Sequence, residues 1–153
     1  MKVSIIIPTY NYFSDLLRPC LESVEKHTDL SDKEIIVVSN GSDDETVHYI
    51  EYKKRQGLPY KLLEFPRPIG FPKAINIGAL AAEGEFLVLL NNDAFILSST
   101  KDIWVNVLLE PFCNPEVGVT GPCEVVNIDT NKKFIMFFCT MMRRSVIEQL
   151  NGL

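Results

Sequence analysis

Asn91, Asn92 and Asp93 follow directly on the apolar run Phe86-Leu87-Val88-Leu89-Leu90, so a carboxylate beside two amides closes a segment that reads as a buried strand. In open α/β sheets ligands settle in the crevice outside the carboxyl ends of the strands. An acidic residue there is well placed to hold a metal or a phosphate-linked ligand. The competing reading is a plain turn, because Asn and Asp are common turn residues. A second acidic cluster, Asp43, Asp44 and Glu45, follows the turn Ser39-Asn40-Gly41-Ser42. Ser42 and Glu45 fit a capping box, and acidic residues suit the positive end of a helix dipole, which accounts for this cluster without chemistry.

The elements that must carry these residues alternate. Residues 3–7 form a short β-branched run closed by Pro8-Thr9-Tyr10-Asn11, and Leu16, Leu17, Cys20, Leu21 and Val24 then recur at helical spacing. Residues 34–38 give the second strand, and Gly57 ends the helix that follows it. Residues 60–65 give a third strand, broken by Pro66, Pro68, Gly70 and Pro72, and a small-residue helix over 74–82 stops at Gly84 before the strand 86–90. Near-continuous apolar strands separated by helices predict an α/β fold, a doubly wound, mostly parallel sheet covered on both faces. Beyond Asp93 the pattern predicts a helix over 103–112 and a short strand over 117–119. It then predicts a small C-terminal hairpin of 124–128 and 133–138 around Asp129-Thr130-Asn131, and a last helix over 143–150.

A chain of 153 residues suits one domain with one core, and 46% hydrophobic with 23% charged residues argues against disorder. Fifteen basic against 20 acidic residues give a net charge of -5, which leaves no basic field to attract nucleic acid. Cys20, Cys113, Cys123 and Cys139 lack the spacing of zinc or redox motifs and read as reduced thiols of a cytoplasmic protein. The apolar run 3–7 is interrupted by Ser4 and closed by Pro8, unlike a signal peptide. The run 134–139 is too short to cross a bilayer, so the expectation is a cytoplasmic protein without a transmembrane segment, with peripheral membrane attachment left open.

Neither G-x-G-x-x-G after the first strand nor G-x-x-x-x-G-K-[ST] occurs, which removes the usual support for dinucleotide and P-loop readings. Four blocks instead resemble the family 2 glycosyltransferases of GT-A fold. They are Val3-Ser4-Ile5-Ile6-Ile7-Pro8-Thr9-Tyr10-Asn11, Glu34-Ile35-Ile36-Val37-Val38-Ser39-Asn40-Gly41-Ser42-Asp43-Asp44, Gly70-Phe71-Pro72-Lys73-Ala74-Ile75-Asn76-Ile77-Gly78 and Gly84-Glu85-Phe86-Leu87-Val88-Leu89-Leu90-Asn91-Asn92-Asp93. The resemblance extends into 115–122 and 141–146 and covers essentially the whole chain.

The resemblance implies a Rossmann-like, nucleotide-sugar binding domain over 1–153, with 1–93 holding the donor and 94–153 beginning an incomplete acceptor-side part. It places Pro8, Thr9 and Tyr10 against the base and ribose, with Asn92 also on the donor side. The tetrad Ser39-Asn40-Gly41-Ser42 has no carboxylate where the family usually carries the one that accepts from the base, and Asn40 would accept there through its amide oxygen, without charge assistance. Lys73 and Asn76 are placed near the donor's diphosphate, although a lone Lys at a helix start also reads as a solvated surface residue. Gly78 is expected to allow close helix packing. Asp93, assisted by Asn91, is implied as the ligand of Mn²⁺ or Mg²⁺, a site that forms mainly when the donor is present.

The family's acidic base motif lies downstream of a segment like 139–153 and is expected beyond Leu153. The implied activity is metal-dependent transfer of a sugar from a UDP- or dTDP-sugar to an unknown acceptor, saccharide or lipid-linked, by inversion. The alternative is a nucleotide-sugar binding module without transfer. Phe134, Met136, Phe138, Met141 and Met142 lack evident partners, so exposed apolar surface and a homo-oligomer are further expectations.

Overall fold

The structure is a computed structural model and describes residues 2–122, 124–126 and 133–152. A six-stranded sheet carries it, built from β1 (Val3–Thr9), β2 (Lys33–Asn40), β3 (Tyr60–Phe65), β4 (Phe86–Leu90), β5 (Val119–Thr120) and β8 (Cys139–Arg143), in the order β3-β2-β1-β4-β8-β5. The first four strands run parallel, Ile5 standing opposite Ile35 on one side and Val88 on the other. Parallel strands need crossovers, and α1 (Arg18–His27), α2 (Thr46–Arg55) and α3 (Phe71–Ala81) supply them. Every residue of β1, β2 and β4 is buried, as a sheet covered on both faces requires.

The alternation of side chains along the strands divides the core in two. Ile5, Ile7, Val37 and Val88 pack with Leu17, Leu21 and Val24 of the first helical segment, Ile50 of α2, and Val105 and Leu108 of α4 (Ile103–Leu109). Ile6, Ile36, Leu87 and Leu89 pack on the other face with Ala74, Ile75 and Ala79 of α3 and Ile147 of α5 (Arg144–Leu150). The doubly wound reading therefore holds. Gly78 brings α3 close, because a Cβ there would lie 2.5 Å from Ile6 Cγ2.

Four expectations are corrected. The capping box does not form: Glu45 stands at the N-cap of α2 without a side-chain cap bond, and Ser42 Oγ instead accepts the Asn11 N–H at 3.1 Å. The helix expected over 103–112 is α4 followed by a 3₁₀ turn, Glu110–Cys113, with Pro111 at the junction. The strand expected over 117–119 is β5, which begins two residues later and ends at Thr120. Cys139–Arg143, not anticipated as a strand, is β8, antiparallel to both β4 and β5. Met141 and Met142 are consequently buried, whereas Met136, Phe137 and Phe138 are exposed. The hairpin strands pair as β6 (Glu124–Val126) and β7 (Lys133–Ile135); their turn, and Cys123, lie outside the described residues.

Cys20 and Cys139 are buried free thiols and Cys113 an exposed one. No helix among the described residues is long and apolar enough to cross a membrane.

At the amino ends of the strands one buried carboxylate ties three segments together. Glu34 accepts Ser4 Oγ and the Glu83 N–H, each at 2.6 Å, and pairs with Lys61 Nζ at 2.9 Å. Burial alone would raise its pKa, but the bonds from Ser4, Lys61 and Glu83 outweigh that and hold it below the ordinary 4.5. Removing the carboxylate leaves these donors without their acceptor, so Glu34→Ala is expected to cost about 2–4 kcal/mol in urea unfolding at neutral pH. A loss below about 1 kcal/mol would show that water replaces the carboxylate freely. Because the folded pKa is the lower one, the stability linked to it is complete above the unfolded value. It fades as pH falls through the folded value, so the gap between wild type and variant narrows on acidification.

Candidate functional site

Strand order reverses between β1 and β4: the chain proceeds from β1 outward through β2 and β3, then returns to the other side of β1. At such a switch point a crevice opens outside the carboxyl ends of the two strands. Pro8, Thr9 and Tyr10 from β1 and Asn91, Asn92 and Asp93 after β4 line a cleft of about 360 Å³ there, joined by Asn40, Tyr12, Leu16 and Phe71. A larger recess of about 530 Å³ lies at the amino ends, where Lys2, Lys61, Glu34 and Glu83 neutralise one another. The smaller cleft is the better site, because among the described residues its one carboxylate is not neutralised by a neighbour.

Asn92 Nδ2 donates to Thr9 Oγ1 at 3.0 Å and ties the two strand ends across the switch point. Beneath them the Cys20 thiol donates to the Asn91 carbonyl at 3.6 Å. Burial and the nearby Asp93 charge push that thiol up to about 12, so it stays protonated and unreactive. The Asp93 carboxylate is exposed and has no hydrogen bond or ion pair among the described residues. The Asn91 side chain beside it is half-buried.

Three connecting loops are fastened above the strands. Asn40 Oδ1 accepts the Ile69 N–H at 2.7 Å, which joins the β2–α2 loop to the β3–α3 loop. One lone pair of the acceptor expected for a nucleobase is thus taken by backbone, and the Asn40 amide has its second lone pair and its N–H₂ group left to offer a ligand. Gly41, at φ +88°, is crossed so closely by the next loop that a Cβ would lie 2.6 Å from Pro68 N. The Ser39 hydroxyl, fully buried, has no hydrogen-bond partner among the described residues.

The structure brings together Pro8, Thr9, Tyr10, Asn40, Asn91, Asn92 and Asp93 but leaves two expected residues outside the cleft. Lys73 is exposed on the first turn of α3, and Asn76, further along that helix, faces a separate recess with Arg144, Ile147 and Gly152. Sequence reasoning missed Tyr12, Leu16 and Phe71. Tyr12 and Phe71, 65% and 48% exposed, are large aromatics flanking turns already suspected of facing a ligand, which is the signal that could have found them.

No group of three His, Cys, Asp or Glu side chains among the described residues could hold a metal unaided. One free carboxylate beside amide oxygens does fit a hard divalent cation that draws its remaining ligands from phosphate and water. It does not fit a structural zinc site.

Residues 4–136 match the family model described as Glycosyl transferase family 2. The O-antigen biosynthesis protein RfbC of Myxococcus xanthus is 34% identical over 123 residues, 78% of this chain and 9% of that protein. The poly(ribitol-phosphate) beta-N-acetylglucosaminyltransferase TarS of Staphylococcus aureus is 34% identical over 104 residues, 65% of this chain and 18% of TarS. Among solved structures, the mannosyltransferase PcManGT of Pyrobaculum calidifontis, in complex with GDP-Man and Mn²⁺, has a TM-score of 0.80 at 23% identity, covering 99% of this chain and 47% of its own. TarS 1–349 in complex with UDP-GlcNAc has a TM-score of 0.70 at 21% identity, covering 99% and 48%. The GT-A fold is shared with both, and the chain spans less than a fifth of those two curated relatives and about half of these solved chains.

Two glycines separate backbone strain from loop contact. Gly57 has φ +80° with nothing within 4 Å of a Cβ, so Gly57→Ala is expected to cost about 1 kcal/mol, whereas Gly41→Ala adds the Pro68 clash and should cost at least about 2 kcal/mol more. Equal losses in denaturant unfolding would mean that the crossing loop yields without cost.

Proposed function

The chain belongs to glycosyl transferase family 2, and from that premise we propose that it binds a nucleoside-diphosphate sugar in the switch-point cleft as the donor-binding part of a glycosyltransferase. The observation that carries this reading is the convergence of an aromatic wall, Tyr10, Tyr12 and Phe71, with the unneutralised carboxylate of Asp93 in one cleft. Aromatic faces and the Asn40 amide suit a nucleobase, while Asp93 at the other strand end suits the diphosphate end of the same ligand through a cation. We assign Asp93 and the Asn91 amide to Mn²⁺ or Mg²⁺. When bound, such a cation offsets charge on the departing nucleoside diphosphate. Lys73 and Asn76 are not assigned to the donor, because neither lines the cleft.

Known relatives guide the choice of ligands. PcManGT is solved with GDP-Man and Mn²⁺ and TarS with UDP-GlcNAc, which supports a nucleotide-sugar donor and a divalent cation. The names of RfbC and TarS favour a saccharide or polyol-phosphate acceptor, and that of the dolichyl-phosphate beta-glucosyltransferase ALG5D of Trichomonas vaginalis a lipid-linked one. The free cysteines support a reducing, cytoplasmic setting.

A second reading, a donor-binding module without transfer, is favoured by one observation. Asp93 is the single carboxylate lining the cleft among the described residues, so no second one is available there as base for an acceptor hydroxyl.

Calorimetry with UDP and GDP, with and without Mn²⁺, tests donor binding. Wild type is expected to bind at least one of them more tightly with Mn²⁺, by about tenfold or more, and Asp93→Ala to lose that increment while keeping the metal-free affinity. Metal-independent binding, or an Asp93→Ala variant that keeps the increment, would remove the assignment of Asp93.

A further inference from the structure

The connection after β1 is built in a conformation that an ordinary turn would avoid. Asn11 and Tyr12 both occupy the left-handed region, at φ 54° and 57°. Asn tolerates that region through its short polar side chain, but a bulky residue such as Tyr is an outlier there and persists only when its surroundings hold it. A π-helical turn, Phe13–Leu17, follows at once, with the N–H of Leu16 and Leu17 both donating to the Tyr12 carbonyl at 2.9 and 3.4 Å.

What holds this loop is the neighbouring one. Asn11 N–H donates to Ser42 Oγ at 3.1 Å, and Asn11 Oδ1 accepts the Asp43 N–H at 3.0 Å, a reciprocal pair. Asp44 completes the clasp: Oδ2 accepts the Phe13 N–H at 2.9 Å and Oδ1 the Thr46 N–H at 3.1 Å. Phe13 is thereby pinned against Tyr49, with ring centroids 5.0 Å apart, on the far side of the loop. The consequence is that Tyr12, between the two pinned residues, stands in the cleft wall instead of packing into the core. Ser42, Asp43 and Asp44, which the sequence accounts for as helix capping, serve this clasp.

We propose that Asn11 and Asp44 are positioning residues that set affinity for the nucleobase by holding the Tyr10–Tyr12 wall in place, without touching the ligand. The proposal rests on the donor-binding reading above. It also separates the two ends of the cleft. The clasp governs the aromatic end, and Asp93, on another strand, governs the diphosphate end.

The variants follow from the geometry. Asn11→Gly keeps access to the left-handed region and loses the acceptor for Asp43, Asn11→Asp keeps both, and Asp44→Asn leaves one oxygen for two N–H donors. The experiment is calorimetric titration of each folded variant with UDP, GDP and inorganic pyrophosphate in the presence of Mn²⁺, with melting curves recorded alongside. Asn11→Gly is expected to weaken nucleoside-diphosphate binding about tenfold and leave pyrophosphate within about twofold, with Asn11→Asp restoring the former to within about threefold. Should Asn11→Gly not fold, Asp44→Asn is expected to show the same split. Unchanged nucleoside-diphosphate affinity in these variants, or equal weakening of pyrophosphate, overturns the proposal. Wild type that binds pyrophosphate but neither nucleotide overturns it as well. Wild type that binds none of the three removes the donor-binding reading itself, a failure visible before any variant is made.

Discussion

The reversal of strand order at β1 is the constraint on which the remaining structure depends. One strand with all seven residues buried pairs in parallel with β2 on one side and β4 on the other, so the chain ends of β1 and β4 must emerge side by side. Parallel pairing fixes which edge of the sheet receives them, and the reversal puts α1 and α3 on opposite faces. No loop has to fold over the resulting crevice to make it. Asn92 and Thr9 then need only one hydrogen bond to fix the spacing of the two strand ends.

The loops above the crevice are coupled in series. The β1–α1 loop is fastened to the β2–α2 loop by Asn11, Ser42 and Asp44, and that loop is fastened to the β3–α3 loop by Asn40 and the tight crossing at Gly41. Short polar side chains make these joins, because each must reach a backbone N–H only a few ångströms away. Asp44 is the one charged group among them, and other charges act away from the cleft: the Glu34 network and the Arg143 guanidinium, which donates to the Phe112 and Val117 carbonyls and lies over the Phe86 and Phe112 rings, hold the amino ends and the antiparallel edge. The cleft is left with one carboxylate that no described residue neutralises, which is the state a cation ligand requires.

Much of this was readable in the residues. The runs at 3–7, 34–38 and 86–90 gave three of the four parallel strands, since buried parallel strands are near-continuously apolar and need no register to be recognised, while 60–65, half-buried with Lys61 and Glu64, was marked off by the Pro and Gly residues that follow it. Cys139–Arg143 escaped because Thr140 and Arg143 interrupt its apolar character. Its place is set by pairing with Phe86 to Leu90 and not by its own pattern. The Ser42 and Glu45 spacing matched a capping box that does not form, because Ser42 is drawn to Asn11, 31 residues earlier, and helix α2 begins without it.

The sequence by itself determined the α/β class, the doubly wound order of elements, the family resemblance and the candidacy of Asn91, Asn92 and Asp93, all of which rest on local periodicity or on residues adjacent in the chain. Only the tertiary structure decided which candidates share a cleft. Tyr12, Leu16 and Phe71 enter it while Lys73 and Asn76 do not, because the direction in which a side chain leaves a loop or helix depends on how that element is anchored to distant neighbours. The occupation of the Asn40 oxygen by Ile69 and the left-handed pair at Asn11 and Tyr12 are of the same kind. Each is a contact across tens of residues whose energy exists only once the sheet has brought the loops together.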